Sequence, residues 1–119
     1  MAVSIGSIVL NVSDGSRAAE FWSAALGYVP RPDNPDFLTP ESGEGPRLHL
    51  DETDRTHLDL WVKRDEYDEE SDQKAEVVRE SEVERLLSLG ARRVEWDYPP
   101  DADFVVLADT EGNLFCVIA

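Results

Sequence analysis

The chain has 119 residues, 41% of them hydrophobic, a size that suits one globular domain able to bury roughly two thirds of its unfolded surface. A formal net charge of −15 repels phosphate backbones, so the composition argues against nucleic-acid binding. Apolar runs stay short of the ~20 residues that a membrane-spanning helix needs, and we expect no membrane partner. The single cysteine, Cys116, excludes an intramolecular disulfide and fits a reducing compartment, which predicts a cytoplasmic protein.

The first half of the chain predicts a strand, a helix and three further strands. Apolar and polar residues alternate over residues 4–12, which indicates a strand. Residues 13–16 supply helix N-cap candidates, and apolar residues then recur at helical spacing, so we expect a helix over residues 16–26 closed by Gly27. Three short strands are predicted next, at Tyr28–Arg31, near residues 36–39 and at Arg47–Asp51.

Residues 56–62 form the most informative stretch, because they alternate strictly between two unlike faces. Leucine and valine side chains occupy one face, as expected for a strand against a core. The other face carries His57, Asp59 and Trp61 in a row. An imidazole, a carboxylate and an indole on one face suit a cavity better than a solvated surface, so these three residues are candidate ligand contacts.

The second half repeats the order of the first. A helix ends at Leu89 and is followed by Gly90, and strands are predicted at residues 92–96, Phe104–Ala108 and Leu114–Ile118. Residues 109–113 have turn composition and predict a tight hairpin between the last two strands. Two βαβββ modules, at about residues 1–55 and 56–119, therefore make an internal duplication within a single domain.

The two modules differ in the length of one connection. Ser7 to Gly27 covers 20 positions and His57 to Gly90 covers 33, so the second connection is 13 residues longer. The excess falls in the acidic insertion, residues 63–81, which is too polar to bury. We expect it to be a solvated loop or an extension of the helix.

The order of several short motifs resembles that of the vicinal-oxygen-chelate superfamily, which includes glyoxalase I, extradiol dioxygenases and bleomycin-resistance proteins. The motifs are Val12-Ser13-Asp14, Ala19-Glu20-Phe21-Trp22, Ala25-Leu26-Gly27-Tyr28, His57-Leu58-Asp59-Leu60, Leu87-Ser88-Leu89-Gly90-Ala91 and Ala108-Asp109-Thr110-Glu111-Gly112-Asn113. The glyoxalase-like subgroup is the most similar. The resemblance implies an α+β fold in which two paired βαβββ modules form a half-barrel with a central cavity, and it implies a homodimer.

The resemblance also implies where a metal would be bound. Metal-dependent members place ligands at the starts of the first and fifth strands and on the fourth and eighth strands, positions that correspond here to Ser7, His57, His49 and Cys116. Many members have His at the Ser7 position and Glu at the Cys116 position. Because the chain departs from this pattern, we expect no tightly bound metal or other cofactor. If a divalent metal is bound, His49, His57 and Cys116 would compose a His₂Cys site suited to zinc.

The chemistry-bearing residues leave alternatives open. Cys116 fits a buried apolar cysteine and, less well, a nucleophile, since nothing visible in the sequence lowers the pKa of its thiol. His57 and Asp59 are the catalytic candidates, because Asp59 could orient the imidazole or act as a base. A buried hydrogen-bonded pair is an equally good interpretation of the same two residues.

Two classes of function follow. In the first, the protein binds a small organic molecule in the half-barrel cavity without chemistry, as drug-sequestering members of the superfamily do. In the second, it is a metal-dependent lyase, isomerase or dioxygenase acting on a small oxygenated metabolite. Trp61 and Trp96 could stack on a ligand, whereas Trp22 on the first helix fits the core better. The residues predicted to face one shared cavity are Ser7, His49, His57, Asp59, Trp61 and Cys116.

Overall fold

The computed structural model describes residues 3–62 and 72–119, which fold into eight strands and two helices. The chain therefore has the α+β fold class that the sequence predicts. In chain order the elements are β1 (Val3–Asn11), α1 (Gly15–Leu26), β2 (Tyr28–Arg31), β3 (Asn34–Pro40), β4 (Arg47–Asp51), β5 (His57–Val62), α2 (Asp72–Ser88), β6 (Arg92–Arg93), β7 (Phe104–Ala108) and β8 (Leu114–Ile118). No helix in these two ranges is long and apolar enough to span a membrane.

The chain divides into two compact units. The N-terminal unit is Gly6–Leu58, and the C-terminal unit combines Met1–Ile5 with Asp59–Ala119. The first contains α1 with β2, β3 and β4 and most of β1, and the second contains α2 with β6, β7 and β8 and most of β5. Strands β1 and β5 each cross the boundary between the units.

In the N-terminal unit, the strands lie in the order β2-β3-β4-β1. Strand β4 is parallel to β1 and antiparallel to β3. One face of this sheet packs against α1, because Leu38, Leu48 and Leu50 form a buried cluster with Ala18 and Trp22 of the helix. Residues of opposite parity, among them those at positions 47 and 49, therefore point away from α1.

The ends of α1 are fixed by the two residues that the sequence indicates. Asp14 is the N-cap, and its Oδ1 accepts a hydrogen bond from the backbone N–H of Arg17 at 3.2 Å. At the other end Gly27 adopts the left-handed conformation, with φ 69°, and its N–H donates to the Ser23 carbonyl. A glycine is favoured here because a side chain strains this conformation.

In the C-terminal unit, the strands lie in the order β5-β8-β7-β6. The core consists of Val62, Val83, Leu107 and Val117, and Phe115 packs against it from β8. Since Val83 is on α2, the alternation places Phe115 and Val117 on the helix side of β8, as the sequence indicates. Cys116 between them points to the opposite face.

The predicted hairpin of β7 and β8 is confirmed, with Phe104 paired to Ile118 and Ala108 to Leu114. Asp109 organises its turn. The side chain and backbone N–H groups of Asn113 donate to the Asp109 carboxylate and hold its pKa below the ordinary value, and the Glu111 N–H adds to this effect.

Two details of β5 and β6 differ from the sequence-based expectations, while the acidic insertion agrees with its expectation where it is described. Strand β6 ends at Arg93, whereas the alternation predicts a strand over residues 92–96. Leu58, predicted to face the core, is 37% exposed. Of the acidic insertion, residues 72–81 are helical and extend α2, while residues 63–71 lie outside the described residues.

Candidate functional site

The face of the N-terminal unit that points away from α1 carries a group of polar and aromatic side chains. In the parallel pairing of β1 with β4, Ser7 lies opposite Arg47 and Val9 lies opposite His49. Across the other edge of β4, Phe37 of β3 lies opposite His49. Partners in neighbouring strands share a face, so these five side chains form one surface.

Arg47 is the centre of this surface. Its Nε donates a hydrogen bond of 2.8 Å to Oγ of Ser7, a side chain that is fully buried at 0% exposure. Its guanidinium carbon lies 4.2 Å from the centroid of the Phe37 ring, which is a cation–π contact. The arginine is therefore held by both a buried hydroxyl and an aromatic face.

His49 is stacked on the same aromatic ring. The centroids of His49 and Phe37 are 4.2 Å apart, with 21° between the ring planes. Nε2 of His49 lies 3.9 Å from Oδ2 of Asp51, while the N–H and the hydroxyl of Thr53 donate to Oδ1 and lower the pKa of Asp51. His49 also lines a groove of about 370 Å³ beside the start of α1, together with Asp36 and other residues of the β4 end.

His57 is half-buried at the start of β5. Its Nδ1 lies 2.6 Å from the carbonyl oxygen of Arg55, so Nδ1 donates when it carries the proton. A contact of this kind fixes the orientation of an imidazole and favours the tautomer whose other nitrogen, Nε2, can accept a hydrogen bond or ligate a metal.

In the C-terminal unit, Asp59 of β5 and Cys116 of β8 come together. A carboxylate oxygen of Asp59 and Sγ of Cys116 lie within 4.8 Å of each other, and both side chains are half-buried. Cys116 is therefore not the fully buried apolar cysteine that one interpretation of the sequence expects. Trp61, two residues after Asp59 on the same face of the strand, is 39% exposed.

The predicted site residues are distributed over the two units. Ser7, His49 and His57 belong to the N-terminal unit, and Asp59, Trp61 and Cys116 belong to the C-terminal unit. That all six face one cavity stays a prediction, as does the metal set of His49, His57 and Cys116. Of the other two tryptophans, Trp22 packs against the core beside α1 as expected, and Trp96 is 40% exposed.

Sequence reasoning missed Arg47 and Phe37. A signal for Arg47 was present, because Arg47-Leu48-His49-Leu50-Asp51 alternates polar and apolar residues just as residues 57–61 do. The period of two places Arg47 on the face of His49. Phe37 has no such signal, since its neighbours in β3 do not alternate.

The candidate residues differ in how well they could serve as ligands of a divalent metal. At the Ser7 position, a hydroxyl that accepts a hydrogen bond from a guanidinium is a poor ligand, and the arginine adds a positive charge beside it. Asp59 and Cys116, in contrast, offer a carboxylate and a thiol, which are both zinc ligands when ionised. The Ser7 position is therefore a poor metal ligand, whereas Asp59 and Cys116 could supply two ligands to a metal.

Comparisons with known proteins agree on the fold. A family model described as a glyoxalase-like domain matches residues 7–118. A crystal structure described as an NAD-dependent benzaldehyde dehydrogenase from Legionella pneumophila is similar, with a TM-score of 0.61 and 14% identity over 94% of this chain and 96% of that chain. A crystal structure of methylmalonyl-CoA epimerase from Mycobacterium tuberculosis is also similar, with a TM-score of 0.55 and 17% identity over 96% of this chain and 85% of that chain. At these identities the likeness concerns the fold alone, and none of the curated proteins compared matches the chain.

Proposed function

Since the chain belongs to the glyoxalase-like domain family, and with it to the vicinal-oxygen-chelate superfamily, we propose that it binds a small organic molecule without a tightly bound metal. The molecule would lie on the strand faces that point away from the helices. This fold supports several kinds of chemistry, so the function depends on the side chains of this chain and not on the fold alone.

The hydrogen bond from Arg47 to Ser7 is the observation that carries the proposal. A guanidinium stays protonated at every physiological pH and has only donors. Its Nε–H is directed at the Ser7 oxygen from 2.8 Å, where the resemblance implies the first metal ligand. A divalent cation at that oxygen would have to displace the arginine or accept a positive charge in its coordination sphere. Both are unfavourable, and the position is better suited to recognition of an organic molecule.

The remaining side chains of the surface support binding of a flat molecule. Ligand pockets are mostly apolar and aromatic, with few polar groups that fix orientation. Phe37, His49 and Arg47 carry flat groups, and the Phe37 ring contacts each of the other two. Together with the predicted contacts His57 and Trp61, they offer stacking surfaces and hydrogen-bond donors within one fold.

Metal content is the first test. Protein purified without an affinity tag, and never exposed to chelator, should contain far less than one equivalent of zinc, nickel, iron or manganese by elemental mass spectrometry. A stoichiometric metal that only prolonged chelation removes would contradict the metal-free proposal.

The same preparation, screened by thermal shift against small planar and oxygenated compounds, should yield compounds that raise the melting temperature.

A variant at His57 separates a binding residue from a structural one. If His57 contacts the ligand, His57→Ala should keep the melting temperature of the free protein and reduce the shift that a bound compound causes. If the imidazole is instead a structural partner, the variant should lose roughly 1–3 kcal/mol of unfolding free energy, because the groups that hydrogen-bond to the imidazole lose their partner. His57→Gln serves as the control, since it keeps hydrogen-bonding capacity at similar size.

A second candidate is a metal-dependent lyase, isomerase or dioxygenase acting on a small oxygenated metabolite. The observation that favours it is the proximity of Asp59 to Cys116, within 4.8 Å. A metal there would polarise a substrate oxygen. The candidate requires bound metal in the wild type that is lost in both Asp59→Ala and Cys116→Ala, with the fold intact by circular dichroism.

We also infer that the chain is a single domain of a cytoplasmic homodimer that does not bind nucleic acid. The net charge of −15 argues against nucleic acid, and a lone cysteine fits a reducing compartment. Short strands leave edges that symmetric pairing of two copies would cover.

A further inference from the structure

We propose that residues 94–98 form a strap over the outer edge of β7, that the Tyr98 hydroxyl fastens it, and that the fastened strap keeps this edge from pairing with a strand of a second copy. The proposal concerns the C-terminal unit alone and is independent of the ligand-binding proposal above.

The strap begins where the β6–β7 ladder stops. Arg92 pairs with Ala108 and Arg93 pairs with Leu107, and the next pair would join Val94 to Val106. No strand continues beyond Arg93 up to β7. Arg93 itself is anchored on α2, since its guanidinium forms ion pairs with Glu80 and Glu84. The strap therefore follows directly on a residue that pairs with β7 and forms exposed ion pairs with α2.

Tyr98 fastens the end of the strap. The backbone N–H of Val106, which a continued β6 would have satisfied, donates instead to the Tyr98 hydroxyl at 2.8 Å. The Tyr98 ring lies 5.5 Å from the Phe104 ring, tilted by 57°. One side chain therefore replaces a backbone partner of β7 and lies beside the Phe104 ring of the same strand.

The sequence of β7 makes its outer edge prone to pair with other strands. The five residues of β7 read Phe-Val-Val-Leu-Ala, with high β-propensity, no charge and no proline. Segments of this composition pair readily with other chains when an edge is free. Val106, whose N–H the Tyr98 hydroxyl accepts, is 2% exposed.

The composition of the strap disfavours pairing with a strand of a second copy. Glu95 and Asp97 alternate with Trp96 and Tyr98 and are exposed, so an approaching strand of a second copy meets negative charge. Pro99 and Pro100 follow directly, and a proline cannot donate to a ladder. The strap is thus a poor template for strand addition, while the β7 edge that it covers is a good one.

The test uses Tyr98→Phe in the full chain, with Tyr28→Phe as the matched control. Tyr28 also makes one hydroxyl hydrogen bond, to the carbonyl of Pro46 at 2.9 Å, but it satisfies no strand edge. Amide hydrogen exchange at Val106 should become about three- to tenfold faster in Tyr98→Phe, the factor that corresponds to one hydrogen bond of ordinary net strength. Sedimentation velocity should then detect species larger than the wild type that accumulate with concentration, and Tyr28→Phe should show neither change.

Two results would overturn the proposal. One is unchanged exchange at Val106 in Tyr98→Phe, and the other is faster exchange with the same size distribution as Tyr28→Phe. If Tyr98→Phe does not fold, native-state exchange of the wild type decides. The amides of residues 94–98 and Val106 should then open together, at lower denaturant than Leu107, and opening of all of them only with global unfolding would exclude a separate strap.

Discussion

Replacing Arg85 with alanine should lower the free energy of unfolding by about 3 kcal/mol, the largest loss that we expect from a single polar side chain. Glu82 on α2 is buried, with its side chain 1% exposed, and its Oε2 accepts a 2.7 Å hydrogen bond from Nε of Arg85. Its Oε1 has no hydrogen-bond partner among the described residues. Without Arg85, the carboxylate would stay buried with neither charge compensation nor a hydrogen-bond donor from the described part of the chain.

The pair is expected to be costly to break but of little net benefit. Glu82→Leu, which removes the buried carboxylate and fills its volume, should be neutral or stabilising, and so should Glu82→Leu combined with Arg85→Ala. Urea titrations of the three variants measure the differences. A loss below about 1 kcal/mol in Arg85→Ala, the range of an exposed ion pair, would mean that Glu82 reaches solvent or another donor.

Gly90→Ala should cost about 3 kcal/mol, because two separate penalties coincide at this position. Gly90 follows α2 with φ 115°, a conformation that residues with a side chain rarely adopt. A Cβ there would also lie 2.9 Å from Cγ2 of Thr110, in the turn between β7 and β8. The glycine permits the end of the helix to approach the hairpin.

Two further variants separate the penalties. Gly27→Ala tests the backbone alone, since φ is 69° and nothing lies within 4 Å of the added Cβ, and it should cost about 1 kcal/mol. Thr110→Ser removes Cγ2, so the double variant with Gly90→Ala should recover the steric part of the loss. Equal thermal and urea stabilities for Gly90→Ala with and without Thr110→Ser would show that the contact with Thr110 is unimportant.

Much of this fold could be predicted because its elements carry strong local signals. Tyr28–Arg31, Arg47–Asp51, Phe104–Ala108 and Leu114–Ile118 have the bounds that the sequence indicates. Strand β6 is the exception, and the reason is not local. The residues after Arg93 alternate as a strand would, but the Tyr98 hydroxyl takes the N–H of Val106 that such a strand would need. A side chain that competes for a backbone partner leaves no trace in the period of the sequence.

For the candidate residues, the sequence could indicate the face of a strand but not which residues of neighbouring strands are paired. Alternation places Cys116 on the face of β8 away from α2, and the same rule applied to β4 would have placed Arg47 and His49 on one face. Alternation does not say which residue of β4 lies beside Ser7. The resemblance suggests His49 as a second metal ligand with Ser7, but in the parallel pairing the partner of Ser7 is Arg47. A shift of two residues along a strand preserves every face, so hydrophobic patterning cannot resolve it. The chemistry at Ser7 depends on that shift.

The first described residues pack with the C-terminal unit. Val3 packs against the core of Val62, Val83, Leu107 and Val117, and residues 1–5 are part of the C-terminal unit. Val3 can therefore reach its packing partners only after the segment from Asp59 onward has been synthesised. A fragment cut after Leu58 would carry Val3 away from its packing partners. A circular permutant that begins at Gly6 and carries residues 1–5 after Ala119 would instead present each unit to the ribosome as one continuous stretch.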